Sequence, residues 1–192
     1  MSPKNSVVII AAVTLAFLLL STSGYSQSKY ARFPDDRSVS SPDGRYILIN
    51  VDSGREPNHY SILLKDKTAG KTSKIYEYGR SATAVWAPDS RHFAINDYAG
   101  SDFTNTYIIA VDGITPRIDL QKEISQQIDL PGGDHEYFGV ARWLDERRVV
   151  VHHWGHDSDR RSEFCGCYTY TLNGRVERCA KQPRNNCEEL TP

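Results

Sequence analysis

The chain reads as an all-β protein assembled from repeated four-stranded units, and three observations predict it. The turn Ser41-Pro42-Asp43-Gly44 is matched 46 positions later by Ala87-Pro88-Asp89-Ser90, and each copy is followed by an apolar run, a polar loop and a second apolar run. The runs Tyr46-Ile47-Leu48-Ile49 and Val149-Val150-Val151 are apolar at consecutive positions, the mark of a strand covered on both faces. The pair Asn173-Gly174 separates two further short runs, and a two-residue Asn-Gly link is a strong hairpin signal.

In chain order, residues 1–26 stand apart from the fold. Lys4 supplies a basic start, residues 7–20 (VVIIAAVTLAFLLL) carry no charge, and a small polar stretch follows. This is the layout of a secretory signal peptide, with Ser23, Gly24 and Ser26 each acceptable before the cleavage point. A membrane helix needs about 20 apolar residues, which this run does not reach; an uncleaved anchor is the rival reading, and only then would the protein touch a membrane. No cysteine follows the run to carry a lipid. The expected location is periplasmic or secreted.

Residues 27–180 are long enough for one domain with a core. The net charge of -1 argues against nucleic acid as a partner, and the basic pairs Arg147-Arg148 and Arg160-Arg161 read as solvated edges. Three repeats fill the domain, at about 38–79, 80–124 and 136–180. The turn of the first places Pro42 at the second position of a type I turn and Gly44 at its end. The second predicts strands near 83–86, 92–96, 106–111 and 117–120. In the third, Trp143 stands where the second has Trp86, the turn is one residue shorter, and a strand runs over 148–153; the first copy has Ser40 at the tryptophan position. Both tryptophans are expected to be buried between adjacent sheets. Four strands per repeat of about 40 to 50 residues is the signature of a propeller blade. A two-sheet sandwich would account for the strands but not for the repeated turn.

The S-P-D-G and W-A-P-D-S turns, each leading into an aromatic and aliphatic strand, resemble TolB-type β-propeller repeats, well over residues 38–120 and in part over 137–180. The resemblance implies a propeller that binds or gates in an exported bacterial protein, with catalysis confined to a separate domain for which this chain has no room. Closed propellers start at four blades, and here there are three. The expected fold is therefore three four-stranded propeller-like blades, either an open fan with residues 181–192 as a polar tail or a set closed by dimerisation.

The loop between second and third strands holds the same place in every copy, so residues 52–59, 97–105 and 154–161 are expected on one rim. Asp52, Asp97, Asp102, Asn105, His156 and Asp157 are its candidate ligand-binding residues, for a protein or small-molecule ligand, although solvated hairpin loops have the same polarity. Within His-His-Trp-Gly-His-Asp-Ser-Asp, neighbouring His152 and His153 point to opposite strand faces. His153, His156 and Asp157 form the candidate metal set for zinc, copper or nickel if the loop folds back, with Asp134-His135-Glu136 as a source of a further ligand; the alternative is that these histidines pack or hydrogen-bond. Calcium fits less well, for want of the glycine of a calcium loop.

Cys165, Cys167, Cys179 and Cys187, behind an export signal, are expected to form disulfides. Three pairings are open, although a bond between Cys165 and Cys167, on one strand face, would be strained. Their spacing does not match structural zinc sites. Neither a Gly-x-Ser-x-Gly elbow nor a His-Glu-x-x-His helix nor a phosphate-cradling loop is present. The functional expectation is an exported, non-catalytic binding or scaffold protein without a cofactor, the alternative being a metal-binding protein or metal-dependent hydrolase that uses the third-repeat histidine loop.

Overall fold

The computed structural model describes residues 29–54 and 59–180. The signal segment at 1–26 and the tail with Cys187 lie outside the described residues. The described chain opens on β1 (Tyr30–Phe33) and then forms the first sheet, a meander of β2 (Ser38–Ser40), β3 (Tyr46–Asp52), β4 (Tyr60–Asp66) and β5 (Lys71–Tyr78). The second sheet follows with β6 (Ala82–Trp86), β7 (His92–Asp97), β8 (Asn105–Ala110) and β9 (Ile118–Asp119). Helix α1 (Leu120–Ser125) leads to the third sheet, β10 (His135–Trp143), β11 (Arg148–His156), β12 (Glu163–Thr171) and β13 (Val176–Arg178). All pairings within the three sheets are antiparallel. No sheet closes on itself.

The second sheet lies between the other two. One apolar core joins it to the first sheet through Leu48, Ile62, Trp86, Phe93 and Ile95. Another joins it to the third through Val85, Ile108, Phe138, Val149 and Tyr168. Accordingly β7 is buried at every position after His92, because both its faces meet a neighbour. Trp86 and Trp143 are both buried, one in each core, and the Trp143 indole donates to the Val85 carbonyl at 3.1 Å. Val149, Val150 and Val151 are covered as expected. Ile47 and Ile49 are only half-buried, a departure from the expectation, because the first sheet ends the stack and has a neighbouring sheet on one face alone.

The repeated turns share one local device. Asp43 accepts the Arg45 N–H at 2.9 Å, Asp89 those of Arg91 and His92 at 2.8 and 3.2 Å, and Asp145 those of Arg147 and Arg148 at 2.9 and 2.8 Å. A short carboxylate reaching backbone two residues on mimics a backbone turn. The first two turns also meet: the Asp43 N–H donates to Ser90 Oγ at 3.0 Å. The outer hairpins repeat the device at Asp66 and Asp112.

Two elements depart from the sequence expectation. The second sheet has five strands, since β1 pairs with β6 and buries Ala31 and Phe33 in the first core. The strand expected to run through Leu120 stops at Asp119, whose side chain accepts the Lys122 N–H at 3.1 Å and caps α1; a carboxylate here satisfies a free helix N–H, and Leu120 and Ile124, one turn apart, enter the second core. Cys167 and Cys179 form a disulfide that ties β12 to the chain just beyond β13. Cys165, on the same strand, has no disulfide partner among the described residues.

Candidate functional site

Neighbouring residues at the end of β7 face opposite ways, and both are buried. Asn96 faces the third sheet. Its Nδ2 donates to Thr83 Oγ1 at 2.9 Å and to the Val140 carbonyl at 3.1 Å, while its Oδ1 accepts the Val140 N–H at 2.8 Å. Thr104 and Thr106 donate to the Phe138 carbonyl at 2.7 and 2.9 Å, and Thr104 Oγ1 accepts the Phe138 N–H at 2.7 Å. The Asp102 carbonyl accepts the Glu136 N–H at 2.8 Å. These groups take the place of a missing strand along the edge of β10, whose backbone would otherwise be left unpaired on burial.

Asp97 faces the first sheet and is 4% exposed. Its Oδ2 accepts the Tyr76 hydroxyl at 2.9 Å, whereas Oδ1 is buried without a hydrogen-bond partner. Burial pushes the Asp97 carboxyl above the usual carboxylate range, opposed by the side chains of Tyr76 and Asn105. Burial and the adjacent Asp97 charge push the Tyr76 phenol up as well. An unmet buried acceptor costs about 1 to 3 kcal/mol.

Asp97 lines a cleft of about 550 Å³ between β5 of the first sheet and the outer strands of the second. Tyr76 and Tyr107 form its aromatic wall, their ring centroids 5.8 Å apart. The Arg117 guanidinium lies 4.3 Å from the Tyr107 ring centre and 5.9 Å from that of Tyr76, within cation–π range. Lys74 and Glu77 pair with each other on the same lining. Among the described residues Arg117 has no carboxylate partner.

Of the six rim candidates, Asp97 and Asn105 share this cleft. Asp52 accepts the Gly54 N–H at 2.8 Å and lines a different hollow, with Ile47, Ile49 and Tyr60 of the first sheet. Asp102 is exposed and contributes its backbone to the β10 edge. His156 and Asp157 belong to the end of the third sheet. The cleft residues missed from sequence are Tyr76, Tyr107 and Arg117. Alternation along β5 assigns Tyr76 and Tyr78 to one face, but nothing local says that Tyr76 meets an acid on β7.

The candidate metal set does not come together. His153 is fully buried, its Nε2 2.9 Å from Glu136 Oε1 and its Nδ1 without a hydrogen-bond partner. Its ring stacks on Phe138 at 4.3 Å and lies against Phe164 at 4.9 Å. Burial holds its pKa below the ordinary histidine value, and Glu136 opposes this. Positions three apart on a strand face opposite ways, so His156 leaves from the other side, stacks on His135 at 4.5 Å and places Nδ1 2.8 Å from the Asp157 carbonyl. The Asp157 carboxylate accepts the Ser162 hydroxyl at 2.7 Å. Among the described residues no group of three or more His, Cys, Asp or Glu side chains is placed to hold an ion. From the Asp134-His135-Glu136 stretch it is Glu136 that reaches His153, as a hydrogen-bond partner.

No family model matches the chain, and no curated protein matches it either.

Proposed function

We propose that this is an exported, non-catalytic binding protein whose three sheets are propeller-like blades of the TolB type, and that it holds a small polar ligand in the cleft on Asp97. The observation that carries the reading is a cleft of about 550 Å³ that brings the buried carboxylate Asp97 together with an aromatic wall and a guanidinium that has no carboxylate partner among the described residues. A cleft lined by aromatic rings and a few charged groups is the arrangement of a ligand site. The matched turns at Asp43, Asp89 and Asp145 support the repeat assignment. Export is supported by the apolar start and by the disulfide; among the described residues no helix is long and apolar enough to cross a membrane.

A thermal-shift screen of small polar metabolites against the wild type and Asp97→Asn tests the site. Ligands that raise the melting temperature of the wild type should lose that effect in Asp97→Asn. Hits that stabilise both proteins equally would place binding elsewhere.

A further inference from the structure

We infer that the protein carries a second disulfide, between Cys165 and Cys187, which folds residues 181–192 back over the outer face of the third sheet. The inference rests on the exported reading, since the bond needs an oxidising compartment. The two thiols give up two protons and two electrons to a disulfide-bearing oxidant, which leaves as a dithiol.

Three observations lead to it. The strand pairing aims the chain at Cys165. As β13 runs from Val176 to Arg178, its partners on β12 run back from Tyr170 to Tyr168, and the Cys179 N–H extends the ladder by donating to the Cys167 carbonyl at 2.9 Å. The chain beyond Cys179 therefore leads toward Cys165, two residues further along β12. Second, Cys165 and Cys167 emerge on one strand face; Cys167 is bonded to Cys179, and Cys165 is half-buried with no disulfide partner among the described residues. Of the four cysteines in the sequence, that leaves Cys187. Finally, the face on which Cys165 lies is covered. Val149 and Val151 enter the second core, so Val150 and His152 point away from the second sheet, and His152 pairs with Cys167. The third sheet ends the stack, and a face turned outward should be open to solvent. Yet Val150, Cys167 and His152 are 3%, 7% and 9% exposed, and Val150 and Cys167 belong to neither apolar core.

The tail has the length to supply that cover. Two residues along β12 measure roughly 7 Å, whereas the eight residues that follow Cys179, up to Cys187, can span about 26 Å. The surplus must loop before Cys187 returns to Cys165, and the place for the loop is the outer face, because Cys165 and Cys167 both project from it. Trp154 pairs with Cys165 on that face and so reports on the cover. A face closed in this way is denied to a second copy, which favours an open fan over closure by dimerisation.

The test is peptide mapping of the full chain purified after export, alkylated in denaturant without reduction and cut with trypsin. No cysteine is expected to be alkylated, and fragment 162–175, which holds Cys165 and Cys167, should be linked to both 179–181 and 185–192. In Cys165→Ser, Cys187 should become alkylated while the link between 162–175 and 179–181 remains. Cys187 still linked to 162–175 in that variant, or fragment 185–192 linked to a second copy of itself in the wild type, overturns the inference. If Cys165 and Cys187 are both alkylated in the wild type beside an intact Cys167–Cys179 bond, the second disulfide falls and export stands; if all four are alkylated, both fall. Iodide quenching of tryptophan fluorescence then tests the cover, because Trp86 and Trp143 are buried and Trp154 is half-buried. Quenching should rise about two-fold or more in Cys187→Ser, since an untethered segment opens locally; unchanged quenching overturns the fold-back.

Discussion

Asp97 and His153 occupy the same place in consecutive repeats, the sixth residue of β7 and of β11, and the two regions differ in what closes over them. Each is buried, each makes one hydrogen bond to a side chain, and each keeps one polar atom without a partner. Burial disfavours the charged form of both, which raises the pKa of the acid and lowers that of the imidazole. His153 is enclosed by the rings of Phe138 and Phe164, whereas Asp97 opens on a cleft. The first repeat has Val51 at the corresponding position, and it is 38% exposed. The repeat therefore supplies a position, and the neighbouring sheet decides whether the group there is sealed, set beside a cleft, or left at the surface.

The largest way to break the comparison is to remove the packing that holds the first junction shut behind Asp97. Trp86→Ala should cost about 3 to 5 kcal/mol as a large core truncation, read as a fall in the urea midpoint. Next comes the junction that is already satisfied. Asn96→Ala strips partners from both the N–H and the carbonyl of Val140 and should cost about 2 to 4 kcal/mol; a loss below about 1 kcal/mol would show that the β10 edge does not depend on it.

Acid sharpens the contrast between the two titrating groups. The folded pKa of His153 is depressed, so its contribution is fully present above the unfolded value of about 6.5 and is lost as pH falls below it, where the unfolded chain takes up a proton first. The folded pKa of Asp97 is raised above 3.8, so its burial costs stability at neutral pH, and that cost is relieved as pH falls through the folded value. Urea midpoints measured from pH 7 to 4.5 should fall less steeply in His153→Gln and more steeply in Asp97→Asn than in the wild type.

The smallest expected effect is also the most discriminating. Asp97→Asn at neutral pH should change stability by no more than about 1 kcal/mol, because the amide removes a buried charge and still accepts the Tyr76 hydroxyl. A marked loss of stability would make Asp97 a structural partner of Tyr76, as Asn96 is of Val140.

Much of this was legible in the chain. Short carboxylates beside proline and glycine mark the turns, and the strand positions of the second repeat come within a residue or two of β6, β7 and β8. Asp97 and Asn105 stand among the polar loop residues that sequence reading singles out. The cluster from His152 to Asp159 was the sharpest local pattern and the most misleading, since the period of two along a strand sends His153 and His156 to opposite faces once β11 extends to His156. Strand β1 had no local signal, because four residues carry too little pattern to announce a partner as distant in sequence as β6.

By itself the sequence determined what depends on neighbours along the chain: the Asp-capped turns, the alternation within strands, the repeat, and the set of cysteines available for cross-linking. Only the tertiary structure decided which of those cysteines, Cys167 and Cys179, are joined, which strand β1 completes, and that Tyr76, Asp97 and Arg117 share one cleft. Alternation specifies the face on which a side chain emerges, but the group it meets there comes from another sheet, and that pairing is set by how whole sheets bury their apolar faces against one another.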